Sequence, residues 1–74
     1  MSPKLIALVC TEMNLQPDLH YSSAIASEKL NVSRHTLYEL TKMGRIDCDL
    51  NGSTPVYQGW HIAARWIRRH GLAA

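Results

Sequence analysis

The sequence predicts a mainly α-helical domain that carries one small β-hairpin. Three observations predict this class: two short amphipathic segments meet at 31–33, an alternating apolar pattern occupies 46–50, and a last amphipathic segment spans 60–70. With 74 residues, of which 46% are hydrophobic and 19% charged, the chain is long enough for one core and too apolar to be disordered. We therefore expect a single domain over residues 1–74, with an N-terminal extension helix and loop over 1–19.

A first helix is predicted over residues 4–14. Ser2-Pro3 is a helix-start signature, and the apolar residues that follow, Leu5 and Val9 among them, recur at helical spacing. A buried strand is the alternative for the apolar run 5–10, because short apolar runs fit both elements. This run is well below the roughly 20 apolar residues that cross a membrane. We therefore expect a cytoplasmic protein that makes no membrane contact.

Two helices joined by a tight turn are predicted over residues 23–30 and 34–43. Asn31 ends the first helix, since Asn tolerates the left-handed backbone conformation of a helix end. Ser33 caps the second helix, and the small side chain of Ala26 lets the two helices cross closely. This combination is typical of a helix-turn-helix. A plain helical hairpin with no DNA role is the alternative.

A β-hairpin is predicted over residues 46–57. Apolar residues alternate with Asp47 and Asp49, as in a half-buried strand, and Asn51-Gly52 is a strong turn signal. Pro55 cannot donate a backbone hydrogen bond, so it marks the returning strand as an edge.

A last helix is predicted over residues 60–70, with Trp66 and other apolar residues on one side and three arginines mostly on the other. Helix, helix-turn-helix, hairpin and helix follow one another in the order of a winged helix-turn-helix domain. The helix-turn-helix, the wing and the last helix together occupy residues 20–70.

One segment resembles the helix-turn-helix of excisionase and MerR-like winged domains; it reads Ala26-x-x-x-Leu30-Asn31-Val32-Ser33-Arg34-x-Thr36-Leu37-Tyr38-x-Leu40-x-x-x-Gly44-x-Ile46. The resemblance extends over about residues 21–69 and includes phage excisionases, AlpA/Cox-type regulators and small terminase subunits. Asn31 departs from it, because this turn position is usually Gly. The resemblance implies sequence-specific binding of double-stranded DNA by a small phage or mobile-element protein. Such a protein acts as an architectural excisionase or a transcriptional regulator.

The candidate contacts follow from placing the second helix in a major groove, where exposed N-terminal side chains read base edges. Arg34 can pair bidentately with guanine, and Thr36 can bond a phosphate or touch a thymine methyl group. Tyr38 either touches DNA or covers the edge of the core. The predicted DNA-binding residues are Ser33, Arg34, His35, Thr36, Tyr38, Lys42 and Arg45 around the second helix, Asn51, Ser53 and Thr54 at the hairpin tip, and Arg65, Arg68 and Arg69 on the last helix.

Charge limits this hypothesis. The chain has a net charge of only +2, and the positive charge is concentrated after residue 28. Asp47 and Asp49 would repel phosphates if they faced DNA. The alternative function is therefore a protein-binding adaptor that uses the same fold without DNA contact.

The expected partners follow from the small size of this footprint, which gives weak binding by one copy alone. We expect self-association or cooperative binding on DNA, and a recombinase or polymerase as a protein partner. The natural pairing surface is formed by Leu5, Leu8 and Val9, unless the protein's own core buries them.

Residues that would support catalysis or metal binding are not grouped at recognisable spacing. The four histidines are scattered, and none lies at catalytic spacing from a Ser or Cys. Cys10 and Cys48 lack the spacing of zinc ligands and indicate reduced thiols. We expect no enzyme activity, no metal and no cofactor.

Overall fold

A computed structural model describes residues 2–71 of the chain. Within this range it contains four α-helices and three short β-strands, which confirms a mainly α class with a small antiparallel sheet. In chain order they are α1 (Pro3–Glu12), β1 (His20–Tyr21), α2 (Ser23–Leu30), α3 (Arg34–Lys42), β2 (Asp49–Asn51), β3 (Thr54–Gln58) and α4 (Gly59–Arg69). None of these helices is long and apolar enough to cross a bilayer.

The first apolar run is a helix and not a strand. The Ser2 side chain accepts a hydrogen bond from the Leu5 N–H, and Pro3 occupies the first turn. One side of α1 packs against α4 and buries Val9 and Cys10, with Leu5 half-buried. Two of the three residues that were expected to form a pairing surface therefore contribute to the core, and the third, Leu8, remains 58% exposed.

The α2–α3 pair follows the local signals in its sequence. Asn31 ends α2 with φ 56° and ψ 46°, the left-handed conformation that Asn tolerates. Ser33 begins α3 by accepting a hydrogen bond from the Thr36 N–H at 3.0 Å. Ala26 is fully buried. Each of these three residues therefore has the structural role that its type predicts.

The sheet is antiparallel with strand order β1-β3-β2, which corrects two expectations. The hairpin begins at Asp49 and not at residue 46, because Ile46 enters the core from a loop. β3 is central and not an edge, because β1 pairs with Tyr57 and Gln58. Pro55 is nevertheless tolerated: β1 does not extend as far as this residue, and its nitrogen faces the side away from β2, where no strand needs a donor.

The start of α4 is fixed by a close backbone contact. A Cβ atom at Gly59 would overlap the carbonyl oxygen of Gln16 and lie 2.8 Å from its carbonyl carbon. The Gly59 N–H also donates to the Leu19 carbonyl at 3.1 Å. Only a glycine lets the loop after α1 lie against α4 in this way.

The core is built from all four helices and β3. Its largest fully buried side chains are Tyr57, Leu37, Ile62, Ile67 and Cys10.

Candidate nucleic-acid interface

The outer surface of α3 carries five of the residues predicted to contact DNA, namely Arg34, His35, Thr36, Tyr38 and Lys42. Leu37 and Leu40 are buried on the inner side of the helix, and Arg34, Tyr38 and Lys42 are exposed. Arg34, Tyr38 and Lys42 recur every four residues and form one stripe along the helix, which we call the α3 stripe. The Lys42 Nζ atom lies 6.0 Å from the centroid of the Tyr38 ring. Tyr38 is 60% exposed, so it does not cover the edge of the core.

The N-terminal turn of α3 is ordered by its cap. Besides accepting from the Thr36 N–H, the Ser33 hydroxyl donates to Thr36 Oγ1 at 3.0 Å. Both hydroxyls are thus partly engaged within the protein. His35 is exposed, and its Nε2 lies 4.0 Å from a Glu39 oxygen, which makes an ion pair only when the imidazole is protonated. Arg34 is the exposed cation nearest to the start of the helix.

A shallow groove of about 110 Å³ brings three elements together beside α3. Its lining includes Ser23 at the start of α2, Arg34 and Tyr38 of α3, and Pro55 of β3. The Tyr57 hydroxyl bonds Thr41 Oγ1 at 2.7 Å and links β3 to α3. Sequence reasoning missed Ser23 as a candidate. Its place at a helix N-terminus, where backbone N–H groups attract anions, was the available signal.

The tip of the hairpin is exposed and carries no charge. Gly52 and Ser53 are the two central turn residues, and Gly52 has a φ of +67°. This corrects the expectation that the turn centres on Asn51-Gly52, because Asn51 pairs with Thr54 as the last rung of the ladder. The three candidate residues at the tip, Asn51, Ser53 and Thr54, are all exposed.

Asp49 is held by the protein itself. Its Oδ2 lies 2.8 Å from His20 Nε2 and accepts a hydrogen bond from Gln58 Nε2 at 3.1 Å. The hydrogen bond with His20 lowers the pKa of this carboxyl group. Because Asp49 pairs with Val56 in the register, its side chain lies on the face of the sheet opposite Tyr57 and α3. This carboxylate therefore does not face the α3 stripe. The other aspartate of this segment, Asp47, is exposed.

His61 is a buried titratable group next to this network. It is 5% exposed, and its Nδ1 accepts a hydrogen bond from the Gln58 N–H at 3.0 Å in a capping box at the start of α4. Burial lowers the pKa of its imidazole more than the nearby charges of Asp49 and Asp47 raise it. The imidazole is therefore neutral and acts as a helix cap.

The thiols give no sign of reactive chemistry. Burial raises the pKa of Cys10, and burial together with neighbouring aspartates raises that of Cys48. Over residues 2–71, no three His, Cys, Asp or Glu side chains are grouped so that they could hold a metal ion.

Arg45, Arg65, Arg68 and Arg69 lie together beyond the C-terminal end of α3, and we call them the arginine cluster. Arg68 Nη1 donates to the Arg45 carbonyl oxygen at 3.4 Å, which joins α4 to the loop after α3. Burial lowers the pKa of Arg65 first, and the positive charges of Arg45, Arg69 and Arg68 lower it further. The sequence assigned all four to DNA, but not to one cluster.

No protein family, curated protein or solved structure matches this chain.

Proposed function

We propose that the protein binds double-stranded DNA in a sequence-specific manner through a winged helix-turn-helix, with α3 as the recognition helix and the β2–β3 hairpin as the wing. Taken together with the resemblance to excisionase and MerR-like domains, this mode of DNA binding is that of a small phage or mobile-element protein. It acts there as an architectural excisionase or a transcriptional regulator. The proposed contacts are Ser33, Arg34, His35, Thr36, Tyr38 and Lys42 at α3 and Asn51, Ser53 and Thr54 at the wing tip.

The α3 stripe is the observation that carries this proposal. An α-helix with side chains is about 10–12 Å across and fits a major groove about 12 Å wide. α3 is buried along one side only, and the start of α2 and the wing flank it. Arg34 lies at the end of the helix that reads base edges in such domains. The position of Asp49, turned away from α3, reduces the repulsion that its charge would cause.

Binding by one copy alone should be weak, since few phosphates are contacted. We therefore propose that copies bind cooperatively or self-associate on DNA, and that a recombinase or polymerase is recruited there. Contacts between copies through α1 have less apolar surface available than the sequence suggested. Of the three expected pairing residues, only Leu8 is exposed.

A protein-binding adaptor is the second candidate, and one observation favours it. Tyr38 and Leu50, which are 60% and 68% exposed, place apolar surface on α3 and on the wing, with no charge at the wing tip. Such surface suits a protein partner as well as a DNA groove. In this case the exposed apolar side chains, and not Arg34, would dominate affinity.

Selection of preferred sites from random duplexes, followed by affinity measurements on the enriched site, tests the proposal. We expect Arg34→Ala to weaken binding on the order of 10- to 100-fold and to relax the preference at one base pair, as loss of a bidentate guanine contact does. Lys29→Ala, which removes one charge from α2, is the matched control and should change affinity less than threefold. Failure to enrich any duplex, or affinity that does not fall with rising salt, would contradict DNA binding.

A further inference from the structure

The arginine cluster is assembled from two separate parts of the chain. Arg45 lies in the loop that follows α3, whereas Arg65, Arg68 and Arg69 lie in the last two turns of α4. On α4 the residues at i, i+3 and i+4 share one side of the helix. The hydrogen bond from Arg68 to the Arg45 carbonyl oxygen holds that side against the loop. The fold therefore concentrates four guanidinium groups at one end of the recognition helix.

This concentration of charge is not neutralised within residues 2–71. The two ion pairs in this range, His20–Asp49 and His35–Glu39, both use histidines, and no Lys or Arg has a carboxylate within 4.0 Å. Arg65 is half-buried, and its lowered pKa reflects both that burial and the repulsion of its three neighbours. Clustered like charges with no internal partner raise the local potential and attract an anion.

The position of the arginine cluster indicates which anion it would bind, namely a phosphate of the DNA backbone. The Arg45 N–H donates to the Leu40 carbonyl oxygen at 2.9 Å, so Arg45 lies at the C-terminal end of α3. At 1.5 Å per residue over residues 34–42, this end lies about 12 Å from Arg34 along the helix axis. The major groove is about 12 Å wide, so a helix that reads bases with its N-terminus reaches the groove wall at its other end. The wall of the groove is lined by phosphates. A planar guanidinium group pairs bidentately with a phosphate, which the compact ammonium group of Lys cannot do.

We propose that the arginine cluster is a phosphate-binding site that holds the DNA backbone at the groove wall, separately from the side chains that read bases. This inference rests on the proposed function. It assigns α4, which contributes Ile62, Ala63 and Ile67 to the core, a second role in fixing how α3 lies in the groove. The site binds phosphodiester groups irrespective of the base sequence.

The slope of log affinity against log salt concentration tests this site. The double variant Arg68→Gln/Arg69→Gln is compared with the wild type on the selected duplex and on an unrelated duplex, by fluorescence anisotropy over a range of KCl concentrations. Loss of two phosphate contacts should reduce the slope by about 1.8, since each contact contributes about 0.9. Affinity should fall by the same factor on both duplexes, because backbone contacts carry no sequence information.

Two further variants test whether the change in slope depends on the charge of the two arginines and on their position. Arg68→Lys/Arg69→Lys keeps both charges and should retain a slope within about 0.5 of the wild type. Lys29→Gln removes one charge far from the cluster along the chain and should likewise leave the slope unchanged. Circular dichroism melting of each variant establishes that it is folded.

The outcomes distinguish the two proposals. A wild-type protein that binds no duplex overturns the proposed function. A wild-type protein that binds duplex, with an unchanged slope for the double glutamine variant, overturns only the phosphate site. A selective loss of affinity for the preferred duplex would also overturn it, because the two arginines would then be reading bases.

Discussion

The α2–α3 pair and the sheet are held together in different ways. In the α2–α3 pair, the side chains that set the geometry lie close in the chain, as in the bond between Ser33 and the Thr36 N–H. In the sheet they lie far apart: His20 contacts Asp49, and Tyr57 contacts Thr41. The proposed recognition helix therefore forms from local signals, whereas the position of the wing beside it depends on long-range contacts. The two regions should respond differently to substitution.

Gly59→Ala should have the largest effect, because it disrupts a long-range contact between the residue that directly follows β3 and the loop after α1. The new Cβ atom would overlap the Gln16 carbonyl group, and backbone atoms on both sides prevent easy relaxation. We expect the free energy of unfolding to fall by about 3 kcal/mol, at the upper end of overpacking costs. Thermal and urea unfolding followed by circular dichroism measure it.

Gly52→Ala is the matched control for this substitution. No atom lies within 4 Å of a Cβ atom built there, so the change adds only the strain of a positive φ. We expect a cost of about 1 kcal/mol. Equal losses in the two variants would show that the contact with Gln16 does not limit stability.

Asn31→Ala should have a smaller effect, because it disturbs one local helix end. An alanine at φ 56° is strained, so we expect the free energy of unfolding to fall by about 1 kcal/mol. Asn31→Gly should be neutral within about 0.5 kcal/mol, since glycine adopts this conformation freely. Chemical denaturation of both variants tests this. A cost as large for glycine as for alanine would mean that the Asn side chain, and not its backbone conformation, stabilises the turn.

The same contrast explains what could be predicted from the sequence. The bounds of α2 and α3 were predicted to within one residue, because caps and helix ends are encoded by neighbouring side chains. β1 was missed, since its two residues, His20 and Tyr21, carry no strand pattern and become a strand only by pairing with β3. The start of β2 was also wrong, because Ile46 fills the core without belonging to a strand.

The candidate site divides along the same line. The α3 stripe could be derived from the sequence, because residues four apart on a helix share a face. The meeting of Arg45 with α4 could not, because it depends on how the loop after α3 packs against the last helix. The same holds for Asp49, whose sequence position suggested repulsion from DNA before the sheet showed it bonded to His20. Whether these surfaces bind DNA stays a prediction.

The smallest expected effect is a dependence of stability on pH that arises at His61, which accepts a hydrogen bond from the last residue of β3. His61 is neutral when folded, and its lowered pKa means that the unfolded chain, whose imidazole keeps the ordinary pKa of about 6.5, binds a proton more readily. Its contribution to stability is therefore fully present above about pH 6.5 and declines as the pH falls from there toward the lowered folded value. The slope stays below about 1.4 kcal/mol per pH unit, the limit for one proton.

His61→Gln isolates this contribution, because Gln at the third helical position can complete a capping box but does not titrate. The variant should fold with a similar free energy of unfolding at pH 8 and lose the decline between pH 7 and 5, measured by urea unfolding at each pH. The α2–α3 pair contains no buried histidine, so Asn31→Gly should keep the wild-type pH profile. A decline that persists in His61→Gln would place its origin at another group. Protonation of His61 at the end of β3 would then no longer distinguish the sheet from the α2–α3 pair.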